Sequence, residues 1–113
     1  TDPAARIAAD YSARAAPGVT NNAELVRRAI ASMRAELGEA ALVQVRNVAP
    51  GFSEDFGHML DDRPGAMFFL GVSNESRGWV GLPHSPHYVA DEEAIGIGAR
   101  AMVRTMLDEL AAS

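Results

Sequence analysis

Residues 66–72, Ala-Met-Phe-Phe-Leu-Gly-Val, form an unbroken apolar run with a turn signal on each side. Pro64-Gly65 precedes it, and the polar stretch Ser73-Asn74-Glu75-Ser76-Arg77-Gly78 follows. A short apolar run bounded by turns fits a strand covered on both faces. Burying Phe68, Phe69 and Leu70 would contribute roughly 1.5–3 kcal/mol each. The pattern therefore predicts that this strand is the centre of the core, with the other elements arranged around it.

Those elements alternate. Residues 4–15 leave strand and helix both open, and Pro17-Gly18 ends them. A helix follows, with Asn21 as its cap and Glu24 three residues on. Val26, Ile30, Met33 and Leu37 share one face at the 3.6-residue period, and Gly38 suits the position just past the end. Arg27, Arg28 and Arg34 fall mainly off that stripe, as a solvated charged face would. Ala41–Val45 reads as a short strand. Ser53 is placed to cap a short helix with Glu54 and Asp55 in its first turn and Phe56, Met59 and Leu60 on its buried side. Asp91 then caps a long last helix whose expected buried stripe is Ile95, Ala99, Met102, Met106 and Leu110. Strands alternating with helices imply an α/β fold, with helices packed on a mixed sheet.

Composition narrows the function. The chain has 113 residues, enough for one small domain with one core. A net charge of −5, with no basic stripe, argues against nucleic acid as a partner. The absence of cysteine excludes a disulfide framework and thiolate chemistry. No apolar run reaches the roughly 20 residues of a membrane span, so no membrane partner is expected and a cytoplasmic location is. The chain begins at Thr1, in what reads as mid-element, as a piece of a longer polypeptide would.

Few residues invite chemistry. His84 and His87 stand three apart on a loop with Pro86 between them. On an extended loop their side chains diverge, so the pair is a poor joint metal site. A single ligand is the better candidate, because Pro83 and Pro86 restrict the backbone around His84. A loop histidine is also an ordinary surface residue, and spacing alone leaves both readings open. Ser53 lies in Gly-Phe-Ser-Glu-Asp, which lacks the second glycine of a nucleophile elbow. Glu54 and Asp55 suit a helix start at least as well as an acid/base pair. His58 reads as an exposed or packing residue. Gly96 and Gly98 match no phosphate loop and read as sites of close helix packing.

Five segments in register carry a resemblance. They are Asn21 after Pro-Gly-Val-Thr; Ser53-Glu54-Asp55-Phe56; Pro64-Gly65-Ala66-Met67-Phe68-Phe69-Leu70-Gly71; His84-Ser85-Pro86; and Asp91-Glu92-Glu93-Ala94-Ile95 with Gly98-Ala99. Together they resemble the C-terminal third of the metal-dependent aminoacylase and carboxypeptidase family, which includes hippurate hydrolases and auxin-conjugate amidohydrolases. The resemblance is firmest over residues 18–110.

The resemblance implies a two-domain metallohydrolase. Residues 1–17 would be the last strand of a lid (dimerisation) domain and its return crossover. Residues 18–113 would be the C-terminal part of the catalytic domain. The implied reaction is hydrolysis of the amide bond of an N-acyl amino acid or small peptide by water activated between two divalent metal ions, Zn, Mn or Co. His84 would be a metal ligand, and Ser53 and Glu54 would lie on the wall of the substrate cleft. The general base and the other ligands match nothing in this chain, so the chain alone is expected to be inactive. The alternative is a non-catalytic α/β interaction module that retains the fold. Either way, an apolar strand and open sheet edges predict a homo-oligomer or association through an edge.

Overall fold

The computed structural model describes residues 17–45 and 54–112. The expected elements before Pro17, and Ser53 with them, lie outside the described residues. Three helices are present among those described: α1 (Ala23–Leu37), α2 (Phe56–Met59) and α3 (Glu93–Ala111). Single 3₁₀ turns occur at Glu39–Ala41 and Glu75–Arg77.

α1 forms where its sequence predicts, with one correction at its start. Asn22, not Asn21, is the cap. Its side-chain oxygen accepts the N–H groups of Glu24 and Leu25, at 3.1 and 3.0 Å. This satisfies two of the donors that a helix start leaves open. Gly38 ends the helix by donating its N–H to the Arg34 carbonyl at 2.9 Å.

α3 runs antiparallel to α1. Arg28 pairs with Glu109, Ser32 with Asp108, and Glu36 with Arg100, so numbers rise on one helix as they fall on the other. The contact is built from small side chains. Ala94 and Ala101 on α3 are buried at 5% and 3% exposure, and Ser32 and Met33 on α1 at 5% and 6%. Small residues allow helix axes to come close. The Arg28 guanidinium spans both oxygens of Glu109, at 2.7 and 2.8 Å, and holds its carboxyl below the usual range.

This overturns the expected buried stripe of the last helix. Ile95, Met102, Met106 and Leu110 are 47–73% exposed and Ala99 is exposed with them, because the helix turns Ala94, Ala101 and Gly98 inward instead. Met59 on α2 is likewise exposed rather than buried.

The mixed sheet is also overturned. No strand exists among the described residues; an isolated antiparallel bridge joins Asn74 to Trp79. A strand needs a second extended backbone beside it to take its N–H and C=O groups. Among the described residues no second backbone is paired with the 66–72 run as a strand. The run is tied instead to the residues that precede the helices. The Asn21 side-chain amide donates to the Met67 carbonyl and accepts the Met67 N–H, both at 2.8 Å. Asn22 N–H donates to Gly65 at 2.9 Å, and Asp91 N–H to Val72 at 2.8 Å. Asn21 thus pairs with one residue of the run as a neighbouring strand would. Phe68, Phe69 and Leu70 stay 39%, 58% and 39% exposed, so the run is not the centre of a core. The expected strand at 41–45 becomes the end of a 3₁₀ turn followed by extended, exposed backbone.

Between the run and α3 lies an open groove of about 420 Å³, lined by Phe56, Met67, Phe68, Leu70 and Met102 among others. Gly98 lies close to Leu70 there: a Cβ would stand 2.8 Å from a Leu70 methyl, which would have to shift aside. Among the described residues only Met33, Ala94 and Ala101 are apolar and buried. The radius of gyration, 18.6 Å, exceeds the roughly 13 Å of a compact domain of about this length. The helix pair is consequently the tightest packing described.

That packing makes two stability predictions. Met33→Ala removes buried methylenes and should cost about 2–3 kcal/mol. Ala101→Leu overfills the helix contact and should cost about 1–3 kcal/mol. Urea unfolding midpoints check both, and wild-type midpoints in the two variants would contradict the packing described.

Candidate functional site

The last loop is closed at its base before it presents any histidine. Asn74 and Trp79 exchange both backbone hydrogen bonds, each at 2.9 Å. The Arg77 guanidinium sits 4.8 Å from the centre of the Trp79 ring, a cation–π contact. The Asn74 side-chain amide then donates to one oxygen of Asp91. The other Asp91 oxygen accepts the Glu93 N–H at 3.1 Å. Asp91 therefore serves the start of α3 from one residue before the assigned cap, Glu92, and also fastens the loop. The Asn74 hydrogen bond, helped by the Glu93 N–H and by Arg77, holds the Asp91 carboxyl below the usual range against the opposing effect of burial.

Above this base the chain makes two successive turns of one sequence pattern. Leu82-Pro83-His84-Ser85 is closed by the Ser85 N–H donating to the Leu82 carbonyl, and Ser85-Pro86-His87-Tyr88 by the Tyr88 N–H donating to Ser85, both at 3.1 Å. Each has proline second and histidine third. They differ in the backbone. His84 has φ of +66°, the only positive value outside glycine among the described residues. Proline second and positive φ third is the type II pattern, whose third position favours glycine or asparagine. A histidine held there is strained, and such strain collects at functional positions. His87 has no such strain, and its N–H donates to the Ser85 hydroxyl at 3.2 Å.

His84 is exposed, and neither of its ring nitrogens is engaged by another described side chain. The imidazole is therefore free to serve as one ligand. Among the described residues no group of three or more His, Asp or Glu gathers to hold an ion. The donor set here fits one corner of a metal site and not a whole one. Glu54 is half-buried at the start of α2; its N–H donates to the Pro17 carbonyl at 3.2 Å and its own carbonyl accepts the Gly57 N–H at 2.9 Å. No hydrogen bond or ion pair joins Glu54 to His84. Ser53 lies outside the described residues. His58 is exposed.

The sequence places His84 on a loop constrained by Pro83 and Pro86, but does not show the contacts that fasten the base of that loop. Asn74 and Asp91 are seventeen residues apart and meet only through the fold. Asn21 reads as a cap, and its use on Met67 has no local signal. The repeated Pro-His pair is the one clue visible in the string.

Comparison with known proteins gives a consistent set of matches. The family model described as Peptidase family M20/M25/M40 matches residues 6–108. A probable hydrolase of Synechocystis sp. is 38% identical over 85 residues, covering 75% of this chain and 21% of that protein. An N-acetyldiaminopimelate deacetylase of Bacillus pumilus is 40% identical over 84 residues, covering 74% and 20%. An IAA-amino acid hydrolase of Arabidopsis thaliana is 40% identical over 47 residues, covering 42% and 10%. The chain thus spans about a tenth to a fifth of the length of the curated relatives it matches. No solved structure matches it significantly. No described helix is long and apolar enough to cross a membrane.

The loop base makes a prediction with a definite sign. The Asp91 carboxyl is lowered from 3.8 in the folded state, so the charged form favours folding. Its contribution is present above about pH 4 and is lost as pH falls through the lowered value. Carbon NMR should find Asp91 titrating below 3.8, and Asn74→Ala should move it back up. Asp91 titrating at or above 3.8 in the wild type would contradict the contact.

Proposed function

The chain belongs to peptidase family M20/M25/M40, and on that premise we propose that the polypeptide carrying it is a metal-dependent amidohydrolase. Its substrates are N-acyl amino acids or small peptides, and the bond cleaved is the amide. The single observation that carries this reading is His84, an exposed imidazole held at φ +66° in its His-Ser-Pro turn. Two of the relatives support the substrate class, one named a deacetylase of N-acetyldiaminopimelate and one a hydrolase of an IAA-amino acid.

The residues divide the work as follows. His84 offers a neutral ring nitrogen to one of two divalent ions, Zn, Mn or Co. When bound, such ions polarise the substrate carbonyl and lower the pKa of a water. The double turn fixes the backbone from which the imidazole projects, so the ligand approaches from a set direction. Glu54 and Ser53 line the substrate cleft. The remaining ligands and the general base come from outside this chain, which by itself is inactive. Residues 1–17 return from a lid domain and residues 18–113 belong to the catalytic domain. The exposed apolar residues of α3, Ile95, Met106 and Leu110 among them, support association with further protein, including a second copy. The polypeptide works in the cytoplasm and binds neither nucleic acid nor membrane.

A second reading draws on the lack of a three-ligand cluster among the described residues. In it the chain is a non-catalytic interaction module. The two readings separate on whether the rest of the polypeptide carries the missing ligands.

Parallel alanine variants of the whole polypeptide test the assignment. His84→Ala should lose about one metal per molecule and most turnover, since a two-metal clamp loses one side. It should change stability by little, because an exposed loop side chain buries little area. His87→Ala should keep both metals and most of the rate. A His84→Ala protein with full metal and full rate, or a more damaging His87→Ala, would overturn the assignment.

A further inference from the structure

The double turn closes on itself at a residue that bears no side chain. Leaving Gly81, the chain passes through both turns and returns so that His87 and Tyr88 lie against Gly81. A Cβ on Gly81 would stand 2.3 Å from the His87 carbonyl oxygen, 2.6 Å from its carbon and 2.9 Å from the Tyr88 nitrogen. All three are backbone atoms, so no side chain can swing aside to make room. The φ of Gly81 is not positive, so its need is for space rather than for an unusual backbone.

We propose that Gly81 is a positioning residue for His84, closing the double turn that keeps His84 in its left-handed conformation. The proposal rests on the reading of His84 as a metal ligand. A left-handed φ in a residue with a Cβ persists only where its surroundings over-determine it. Three contacts do so here. Pro83 fixes the second position of the first turn. The Ser85 hydroxyl accepts the His87 N–H and links the first turn to the second. Gly81 lets the end of the second turn seat against the start of the first. A methyl group at position 81 pushes residues 87–88 away, opens both turns and releases His84 toward ordinary negative φ. The imidazole then leaves the orientation in which it meets a metal, although its chemistry is unchanged.

The test is a double-mutant cycle on metal affinity. Zn²⁺ affinity is measured by chelator competition on the whole polypeptide as wild type, Gly81→Ala, His84→Ala and the double variant. Gly81→Ala should weaken the affinity about tenfold, as loss of a ligand's support does. In the His84→Ala background it should change nothing further, because it acts only through His84. An equal loss in both backgrounds marks a merely structural role and overturns the proposal, as does wild-type affinity in Gly81→Ala. Wild-type affinity in His84→Ala sinks the ligand reading itself, and the proposal with it, independently of any change at Gly81. Should Gly81→Ala not fold, Pro83→Ala takes its place, since it adds no atoms. It should weaken Zn²⁺ about two- to fivefold, and only when His84 is present; no effect, or the same effect without His84, overturns the proposal.

Discussion

The antiparallel contact between α1 and α3 is the constraint on which the rest of the described structure hangs. Ser32 and Met33 on α1 and Ala101 on α3 are buried in the helix pair, and the contact is fastened by the Arg28–Glu109 pair. Each helix then carries its leading residues into place. Asn21 and Asn22, just before α1, hold the backbone of Met67 and Gly65. Asp91, just before α3, holds Val72 and Asn74. The apolar run and the base of the histidine loop are therefore both suspended from helix starts. Loosening the helix contact would slacken the loop at a distance, through Asp91.

This arrangement links packing to chemistry. A ligand on a loop is useful only if the loop arrives in one conformation, because misplacement by about 1 Å costs much of the rate. Here the loop is fixed at three heights: at its base by Asn74 and Asp91, in its middle by Gly81 against His87 and Tyr88, and at its tip by the paired proline turns. His84 sits at the strained end of that series. Under the proposed reading of His84 as a metal ligand, that strain would serve to orient the ligand before substrate arrives.

Much of this was legible in the string, and the failures have a common physical cause. The bounds of α1 followed from an asparagine cap, a 3.6-residue stripe and Gly38, all of them local signals. α3 was legible as a helix but not in its facing. Large apolar residues suggest a buried face, yet the helix buries Ala94 and Ala101 and sets Gly98 against Leu70, leaving Ile95 and Leu110 about 70% exposed. The apolar run 66–72 was legible as a continuous segment, but a strand is a property of two segments, and among the described residues no second segment is paired with it. The turn at His84 could be read from its prolines. Asp91 was legible as serving the start of α3, but its hold on Asn74, and the place of Gly81, could not be read, because each depends on residues brought near only by folding.

The central claim is that the strained turn exists to hand His84 to a metal ion. An anomalous-diffraction crystal structure of the whole polypeptide grown with Zn²⁺ tests it most directly. The expected result is a zinc peak about 2.0–2.1 Å from a ring nitrogen of His84, with His84 still at positive φ and no peak on His87. A fully occupied zinc centre that His84 does not touch would contradict it.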